Sequence, residues 1–411
     1  MSKILMGLCL ALAVFQPAFA DVRPLANSLA IEKESAIAFD PDGNRGLVVY
    51  AQNGYVYGRY VDANGVPVGT SEFTIFPVSF PASGRSYSTP SVTFKRGQNR
   101  FVITAAETGT NVIYTHSGPI SISAPRGIAV TAFNADGTRA ASRFLRTPIA
   151  SVARSEKRPV VVADELSDGC CIAVAWEDET FSRSLYVQRL DANLLPQGET
   201  AVLTPSGAER IANVAAAYEL NRDRFTFVYD MVDATSRRWV ATTSMLAFTG
   251  GEVRQLNLAE RVGHGERSGD LPRGTPALTA SVGLNKYVIA WRVGDFLHGA
   301  FFSPDIGGAS GRFALPTTTT RPALVPVSGA RRVLVVSATT PALGSIATLN
   351  VYAIDSTVMS SAPPWIGTIS RSADGAALSA AAVWSPLSRR LLATWDSAGP
   401  TRDVYVGDLV P

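Results

Sequence analysis

The chain has 411 residues, of which 46% are hydrophobic and 17% charged, and its formal net charge is +3. This composition is typical of a packed globular protein and excludes an intrinsically disordered chain. Three excess positive charges over so large a surface are too few to indicate a nucleic-acid partner.

The first 20 residues have the pattern of a secretory signal peptide. Lys3 supplies the positive start, Ile4–Phe15 the apolar stretch, and Ala18–Ala20 the small-residue cleavage site. No later stretch reaches the roughly 18 apolar residues that a transmembrane helix needs. We therefore expect a mature chain from residue 21 to 411, exported to the periplasm or the extracellular space without a membrane span.

Seven copies of a short apolar strand motif recur along the mature chain. Each copy has five alternating or apolar residues and often ends in an aromatic residue: Gly46–Tyr50, Phe101–Ala105, Ile172–Trp176, Phe225–Tyr229, Tyr287–Trp291, Val333–Ser337 and Leu391–Trp395. Their last residues are spaced by 55, 71, 53, 62, 46 and 58 positions. A period near fifty residues made of strands is typical of a β-propeller.

Each repeat has the pattern of a four-stranded antiparallel blade. Thr-Pro or Arg-Pro pairs often open the first strand, and Asp-, Asn- and Gly-rich turns separate the others. The last repeat has only three strands, whereas Ser28–Glu32 precedes the first repeat without a blade of its own. We therefore predict an all-β, seven-bladed β-propeller, a single domain over residues 21–411, closed by pairing this N-terminal strand with the C-terminal blade.

Two adjacent cysteines, Cys170 and Cys171, are the only ones left after signal removal. In an oxidising compartment they can form a vicinal disulfide, and the alternative is a pair of reduced thiols beside a central strand. A disulfide here closes a minimal loop, so it would stiffen a turn and add little loop entropy.

The longer connections follow second strands or link one blade to the next, and in an antiparallel blade these two types open on the same face. They cover residues 77–88, 108–126, 147–157, 231–238, 259–274 and 339–345. Long loops on one face of a rigid scaffold commonly form a binding surface. The loop Thr108–Arg126, with Tyr114, His116 and Arg126, is a candidate lid or glycan-facing wall.

Charged residues are expected around the channel mouth on that face. Acidic residues follow the central strands at Glu107, Glu177, Asp178, Asp230 and Asp396, and arginines stand near first-strand starts at Arg158, Arg210, Arg273 and Arg321. The arginines are candidate ligand-binding residues for carboxylates or sulfates. The structural alternative, which we favour, pairs each arginine with a neighbouring carboxylate as a tie between blades.

Aromatic residues divide into two groups. Candidates for stacking on sugar rings are Tyr87, Tyr114, Phe181 and Trp239, although each also suits a core position. The motif aromatics Tyr50, Trp176, Tyr229, Trp291 and Trp395 are expected to pack between blades.

The chain lacks a sequence signature of catalysis. Its three histidines, His116, His264 and His298, have no metal-ligand spacing, and no nucleophile elbow or phosphate loop occurs. We therefore expect neither a metal nor a cofactor. Two well-placed carboxylates would suffice for a sugar-cleaving enzyme, and Glu107, Glu177, Asp178 and Asp230 are the candidates for that role.

The repeat unit resembles the loose β-propeller repeats of secreted bacterial proteins, without pointing to a particular family. That resemblance implies the architecture alone. The leading hypothesis is a monomeric, non-enzymatic binding protein that holds a protein or glycan on its long-loop face. The alternative is a secreted glycoside hydrolase or lyase, and a quinone-dependent dehydrogenase is a third possibility, suggested only by the adjacent cysteines.

Overall fold

The computed structural model describes residues 22–25, 32–69, 71–76, 85–115, 118–146, 156–165, 171–178, 184–203, 208–233, 237–246, 266–267, 276–302, 309–317, 321–339, 348–355, 363–370, 377–397 and 404–411. Seven antiparallel sheets of four strands each form a ring, which confirms the all-β, seven-bladed propeller. Within these ranges no helix has the length and apolar character that a bilayer crossing requires.

The strands follow one another in chain order through the blades. After β1 Val22–Pro24, blade 1 contains β2 Glu32–Asp40, β3 Arg45–Gln52, β4 Tyr55–Asp62 and β5 Phe73–Phe76. Blade 2 contains β6 Ser86–Lys95, β7 Arg100–Thr115, β8 Gly118–Asn134 and β9 Arg139–Leu145, and blade 3 contains β10 Glu156–Ala163, β11 Ile172–Asp178, β12 Leu185–Leu190 and β13 Ala201–Leu203. Blade 4 contains β14 Ala208–Glu219, β15 Arg224–Asp233, β16 Arg237–Leu246 and β17 Glu266–Arg267, and blade 5 contains β18 Ala277–Ser281, β19 Lys286–Val293, β20 Phe296–Phe302 and β21 Ala309–Pro316.

The last two blades complete the ring. Blade 6 contains β22 Ala323–Pro326, β23 Arg332–Thr339, β24 Thr348–Asp355 and β25 Trp365–Ser370, and blade 7 contains β26 Ala377–Ser385, β27 Arg390–Ser397 and β28 Val404–Leu409 together with β1. Two short 3-10 turns, Arg96–Gln98 and Leu220–Arg222, join the first two strands of blades 2 and 4.

An N-terminal strand closes the ring, as the sequence predicted, but it lies earlier in the chain. Val22–Pro24 pairs antiparallel with β28, and the buried Leu25 donates its backbone N–H to Val404 O at 3.0 Å. Glu32, the end of the predicted closing strand, instead pairs with Gln52 in blade 1. Residues 26–31 lie outside the described ranges. The apolar pattern of the sequence does not distinguish the segment that closes the ring from the neighbouring segment that begins blade 1.

Apolar side chains between blades form the core. Each of the motif aromatics Tyr50, Trp176, Tyr229, Trp291 and Trp395 is buried and packs with residues of the preceding blade. Trp176, for example, shares a cluster with Ile128 and Val130 of blade 2. The prediction of between-blade packing is therefore confirmed. Burying such large side chains is the dominant stabilising contribution in a fold of this type.

The predicted turns have a shared hydrogen-bonding pattern. Asp62 Oδ1 accepts the backbone N–H groups of Asn64 and Val66, both at 2.8 Å, and Asp191 Oδ1 accepts those of Asn193 and Leu195. Aspartate is favoured in such turns because its carboxylate satisfies backbone donors that the strand ladder leaves unpaired.

The predicted loop over residues 108–126 is instead a β-hairpin. Strands β7 and β8 continue past the sheet and pair from Thr108–Pro125 to Thr115–Gly118, forming an arm of eight residue pairs. At about 3.3 Å per residue this arm extends roughly 25 Å. A two-stranded arm leaves one edge of each strand free, so Pro119 and Pro125 are compatible with it.

Candidate ligand-binding face

The candidate carboxylates lie where the sequence placed them, at the ends of central strands. Glu107 ends the sheet portion of β7, Glu177 and Asp178 end β11, and Asp230 lies near the end of β15. All four are buried, with exposures between 0% and 6%. Burial of this degree requires partners, because an isolated charge in a protein interior is strongly disfavoured.

The candidate arginines and aromatics are less uniformly placed. Arg158 lies in β10 and is exposed, Arg321 directly precedes β22 and is half-buried, and Arg210 lies in β14. Four of the candidates lie outside the described residues: Arg273, His116, Phe181 and Cys170. Tyr114 lies in β7, and Trp239 lies in β16. Cys171 is buried directly before β11, and its pairing stays a prediction.

Tyr87 corrects one expectation. It is buried, and its ring stacks on Phe76 at 5.2 Å, so it is a core residue between blades 1 and 2 and offers no exposed face for a sugar. Its register in β6 places it opposite Glu107.

A feature that sequence reasoning missed is a repeated β-bulge in the first strands. In each of blades 1–4 the pairing with the central strand slips by one residue at an equivalent position. The first residue of each bulge has a left-handed backbone, at Glu34 (φ 57°), Thr89 (φ 50°), Arg158 (φ 45°) and Asn213 (φ 59°). Such a conformation costs about 1–3 kcal/mol per non-glycine residue, so neighbouring contacts must hold it.

Carboxylates from neighbouring strands hold these bulges. The N–H of Thr89 in blade 2 donates to Glu34 Oε2 of blade 1 at 2.7 Å. Glu177 of blade 3 accepts the N–H of Asn213 in blade 4, and the N–H of Val214 lies 3.4 Å from the same oxygen. A carboxylate of one blade thus satisfies the irregular backbone of the next.

Asn213 connects two of the candidate residues. Its Nδ2 donates to Asp230 Oδ2 at 2.9 Å, and its Oδ1 accepts a hydrogen bond from the guanidinium of Arg158. The network therefore brings Arg158, Glu177 and Asp230 together across blades 3 and 4. These contacts connect blades 3 and 4, but the partner shown for Arg158 is an amide oxygen, so the pairing of each arginine with a carboxylate stays a prediction.

Four charged groups from four blades, Glu34, Arg158, Arg321 and Asp396, interact electrostatically across the ring, and together they form the channel mouth. Burial raises the pKa of Glu34 above its ordinary value of 4.5, the Thr89 N–H and the charges of Arg321 and Arg158 oppose that rise, and the nearby Asp396 carboxylate adds to it. Burial also lowers the pKa of Arg321, against the attraction of Glu34 and Asp396. Glu34 thus joins Arg158, Arg321 and Asp396, contributed by blades 1, 3, 6 and 7.

Glu107 belongs to a different location. Its carboxylate lies 3.5 Å from Arg85 Nε and accepts a hydrogen bond from Tyr87, whose pKa is raised by burial first and then by this carboxylate. Together with Phe76 of blade 1 it lines a groove between blades 1 and 2. The described residues include no group of three or more His, Cys, Asp or Glu side chains suited to hold a metal ion.

Comparisons with known proteins give the fold alone. No protein-family profile and no curated protein matches the sequence. Among solved structures, the chain is similar to the Cps50 (Swd1) β-propeller domain of Myceliophteria thermophila, with 10% identity, coverage of 94% of this chain and 99% of that one, and a TM-score of 0.49.

Two further structures show the same level of likeness. The Dos1 propeller is 11% identical, with coverage of 95% and 94% of the two chains and a TM-score of 0.48. The NanB sialidase of Streptococcus pneumoniae is 10% identical, with coverage of 95% of this chain and 70% of that one and a TM-score of 0.48. One of these three proteins is a sialidase, and the other two are propellers named without an activity. Likeness at this level assigns the chain to no family.

Proposed function

We propose that the protein is an exported, non-enzymatic binding protein that holds a protein or glycan on its long-loop face. The observation that carries this proposal is the role of Glu177. Its buried carboxylate accepts backbone N–H groups of the next blade and so holds the bulge at Asn213 in place. A carboxylate used in this way is poorly suited to proton transfer or nucleophilic attack.

The remaining candidate carboxylates support the same proposal. Asp230 accepts from the Asn213 side chain, and Glu107 is paired with Arg85 and Tyr87 in a separate groove. The arm formed by β7 and β8 adds an extended surface to the face on which the central strands end. The signal-peptide pattern at residues 1–20 favours an extracytoplasmic location for this surface.

The alternative, a secreted glycoside hydrolase or lyase, is favoured by one observation. Glu34 and Asp396 are neighbouring carboxylates at the channel mouth, and the pKa of Glu34 is raised. A carboxyl group with a raised pKa next to a second carboxylate is a pattern found in the acid and base pairs of sugar-cleaving enzymes. The charges of Arg158 and Arg321 act on Glu34 and would also attract an anionic group of a substrate bound there.

A paired binding and turnover experiment separates the two functions. The mature protein is screened on a glycan array and against candidate protein ligands, alongside Glu34→Gln, Asp396→Asn, Arg158→Ala and Glu177→Gln. We expect ligand retention without product formation, weakened binding in Arg158→Ala, and reduced stability with retained binding for the folded fraction of Glu177→Gln.

Two outcomes would reverse this assignment. Hydrolysis or elimination of a bound glycan, abolished in both Glu34→Gln and Asp396→Asn, would establish the enzyme. Loss of binding in folded Glu177→Gln equal to that in Arg158→Ala would remove the structural role that carries the proposal.

A further inference from the structure

A groove between blades 1 and 2 combines a cluster of arginines with apolar walls. It has a volume of about 580 Å³ and runs between Ile75 and Phe76 of blade 1 and the outer strand β9 of blade 2. Arg85, Arg139 and Arg146 line it, and all three are exposed. The groove is distinct from the channel mouth, where Glu34, Arg158 and Arg321 meet.

Positive charge exceeds negative charge in this groove. Glu107 is its one acidic lining residue, and it is paired with Arg85. Within the part of the chain that the structure describes, no carboxylate forms an ion pair with Arg139 or Arg146. No carboxylate of the described residues neutralises these two guanidinium groups, and their surplus charge points to an anionic ligand.

Local contacts hold the two surplus guanidinium groups in place. Arg139 Nη2 donates to the carbonyl oxygen of Ile75 at 2.8 Å, and its guanidinium lies 5.5 Å from the Phe133 ring centre. Arg146 lies 5.1 Å from the ring centre of Phe144, which faces the same groove. Side chains ordered in advance lose less entropy when they bind a ligand. Each guanidinium retains N–H donors for a carboxylate or sulfate.

The spacing of the arginines selects an extended ligand. Arg139 begins β9 and Arg146 directly follows its last residue, so at about 3.3 Å per residue their backbones are roughly 20 Å apart. One small anion cannot contact both. The half-buried ring of Phe144 lies between them and offers apolar surface suited to the face of a sugar ring.

We propose that this groove binds an acidic polysaccharide segment, with carboxylate or sulfate groups on Arg85, Arg139 and Arg146 and sugar rings against the apolar wall. This assignment rests on the proposed binding function and adds a second binding site, separate from the channel mouth, with its own ligand class. Arg143 supplies an internal control. It borders the same groove, but its Nε donates to Leu194 O of blade 3 at 3.3 Å, which directs its guanidinium to the other side of β9.

The test measures binding of the mature protein to uronate and sulfated oligosaccharides of equal length, at low and high salt. Arg146→Gln and Arg85→Gln are compared with Arg143→Gln, which removes the same charge from the same region. We expect Kd to rise roughly tenfold in each groove variant, as for loss of one charge-assisted hydrogen bond. Arg143→Gln should change Kd less than twofold. The salt dependence should weaken in the groove variants.

A preference for uronate or for sulfated chains shows whether the groove binds carboxylate or sulfate groups, and either preference supports the proposal. Equal weakening in Arg143→Gln would show non-specific charge attraction and overturn it. Tighter binding of an oligoglutamate of equal charge would replace the glycan by an acidic peptide. Absence of binding to every anionic chain, with neutral glycans or proteins still bound in an Arg158-dependent manner, would reject the groove and keep the proposed function. Absence of every ligand would reject both.

Discussion

The buried ion pair between Lys95 and Asp164 offers the sharpest test of how the blades are joined. Lys95 ends β6 in blade 2, and Asp164 follows β10 in blade 3. Their side chains are only 1% and 2% exposed, and the ammonium group donates to one carboxylate oxygen. The other carboxylate oxygen accepts the N–H of Cys171 at 2.8 Å.

Removing one partner leaves a charge buried without compensation. Lys95→Met and Asp164→Asn are each expected to cost about 3–5 kcal/mol. The double variant Lys95→Met/Asp164→Leu removes both charges, and the Cys171 N–H and the Asp164 carbonyl oxygen lose these partners. The neutral groups left behind cost about 1–3 kcal/mol. The double variant should therefore be more stable than either single variant.

Urea denaturation followed by tryptophan fluorescence measures these differences. The same differences should appear in thermal unfolding. With an unfolding entropy of about 2.1 cal/mol/K per residue over roughly 390 residues, the melting temperature of each single variant should lie about 4–6 °C below that of the wild type. A double variant as unstable as the sum of the single variants would refute the reasoning, because the two residues would then act independently. A loss below about 1 kcal/mol in Lys95→Met would show that the pair is solvated.

Three further predictions concern the channel mouth, the arm and the cysteines. The pKa of Glu34 is raised above 4.5 in the folded state, so the folded protein holds this proton more tightly than the unfolded chain does. The free energy of unfolding should therefore fall as the pH rises from 4.5 through the folded pKa. Glu34→Gln should remove this part of the pH dependence in urea titrations. Gly127 has φ 144°, and a Cβ there would lie 2.4 Å from Leu145 O. Gly127→Ala should therefore lower the free energy of unfolding by about 1–3 kcal/mol. The control Gly69→Ala should cost less, because Gly69 has a positive φ but no neighbour within 4 Å. If the two alanine variants melt together, the close approach to β9 does not matter. Mass spectrometry of the untreated protein should show Cys170 and Cys171 joined, two hydrogens lighter than the reduced form, and alkylation of both thiols without reductant would contradict the disulfide.

The blades could be predicted from sequence because each depends on a local pattern. An alternating apolar strand that ends in an aromatic residue, such as Ile172–Trp176, must be buried between sheets, and an aspartate such as Asp62 marks the turn. Both signals depend on neighbours in the chain. They identify the central strands and the number of blades.

The bulges and the arm could not be predicted because pairing determines them. Glu34, Thr89, Arg158 and Asn213 occupy equivalent bulges but share no residue type, so composition gives no common signal. Glu34 follows Lys33 and looks like part of a solvated charge pair, yet it lies at the channel mouth. Residues 108–115 and 118–125 are rich in Thr and Ser, and each forms a strand because the other is available as a partner.

The joint between β1 and β28 has a mechanical consequence. In this antiparallel pair Val22 lies opposite Gly407 and Pro24 lies opposite Tyr405. The start of β1 and the end of β28 therefore lie next to each other, at the same end of the paired strands. A pulling force applied at Val22 and Leu409 would therefore break these residue pairs one after another. By contrast, a shearing pull strains all pairs at once. Under tension the ring should therefore open at this three-residue joint by peeling, before a blade loses any of its internal pairing, and it should reseal when the tension is released.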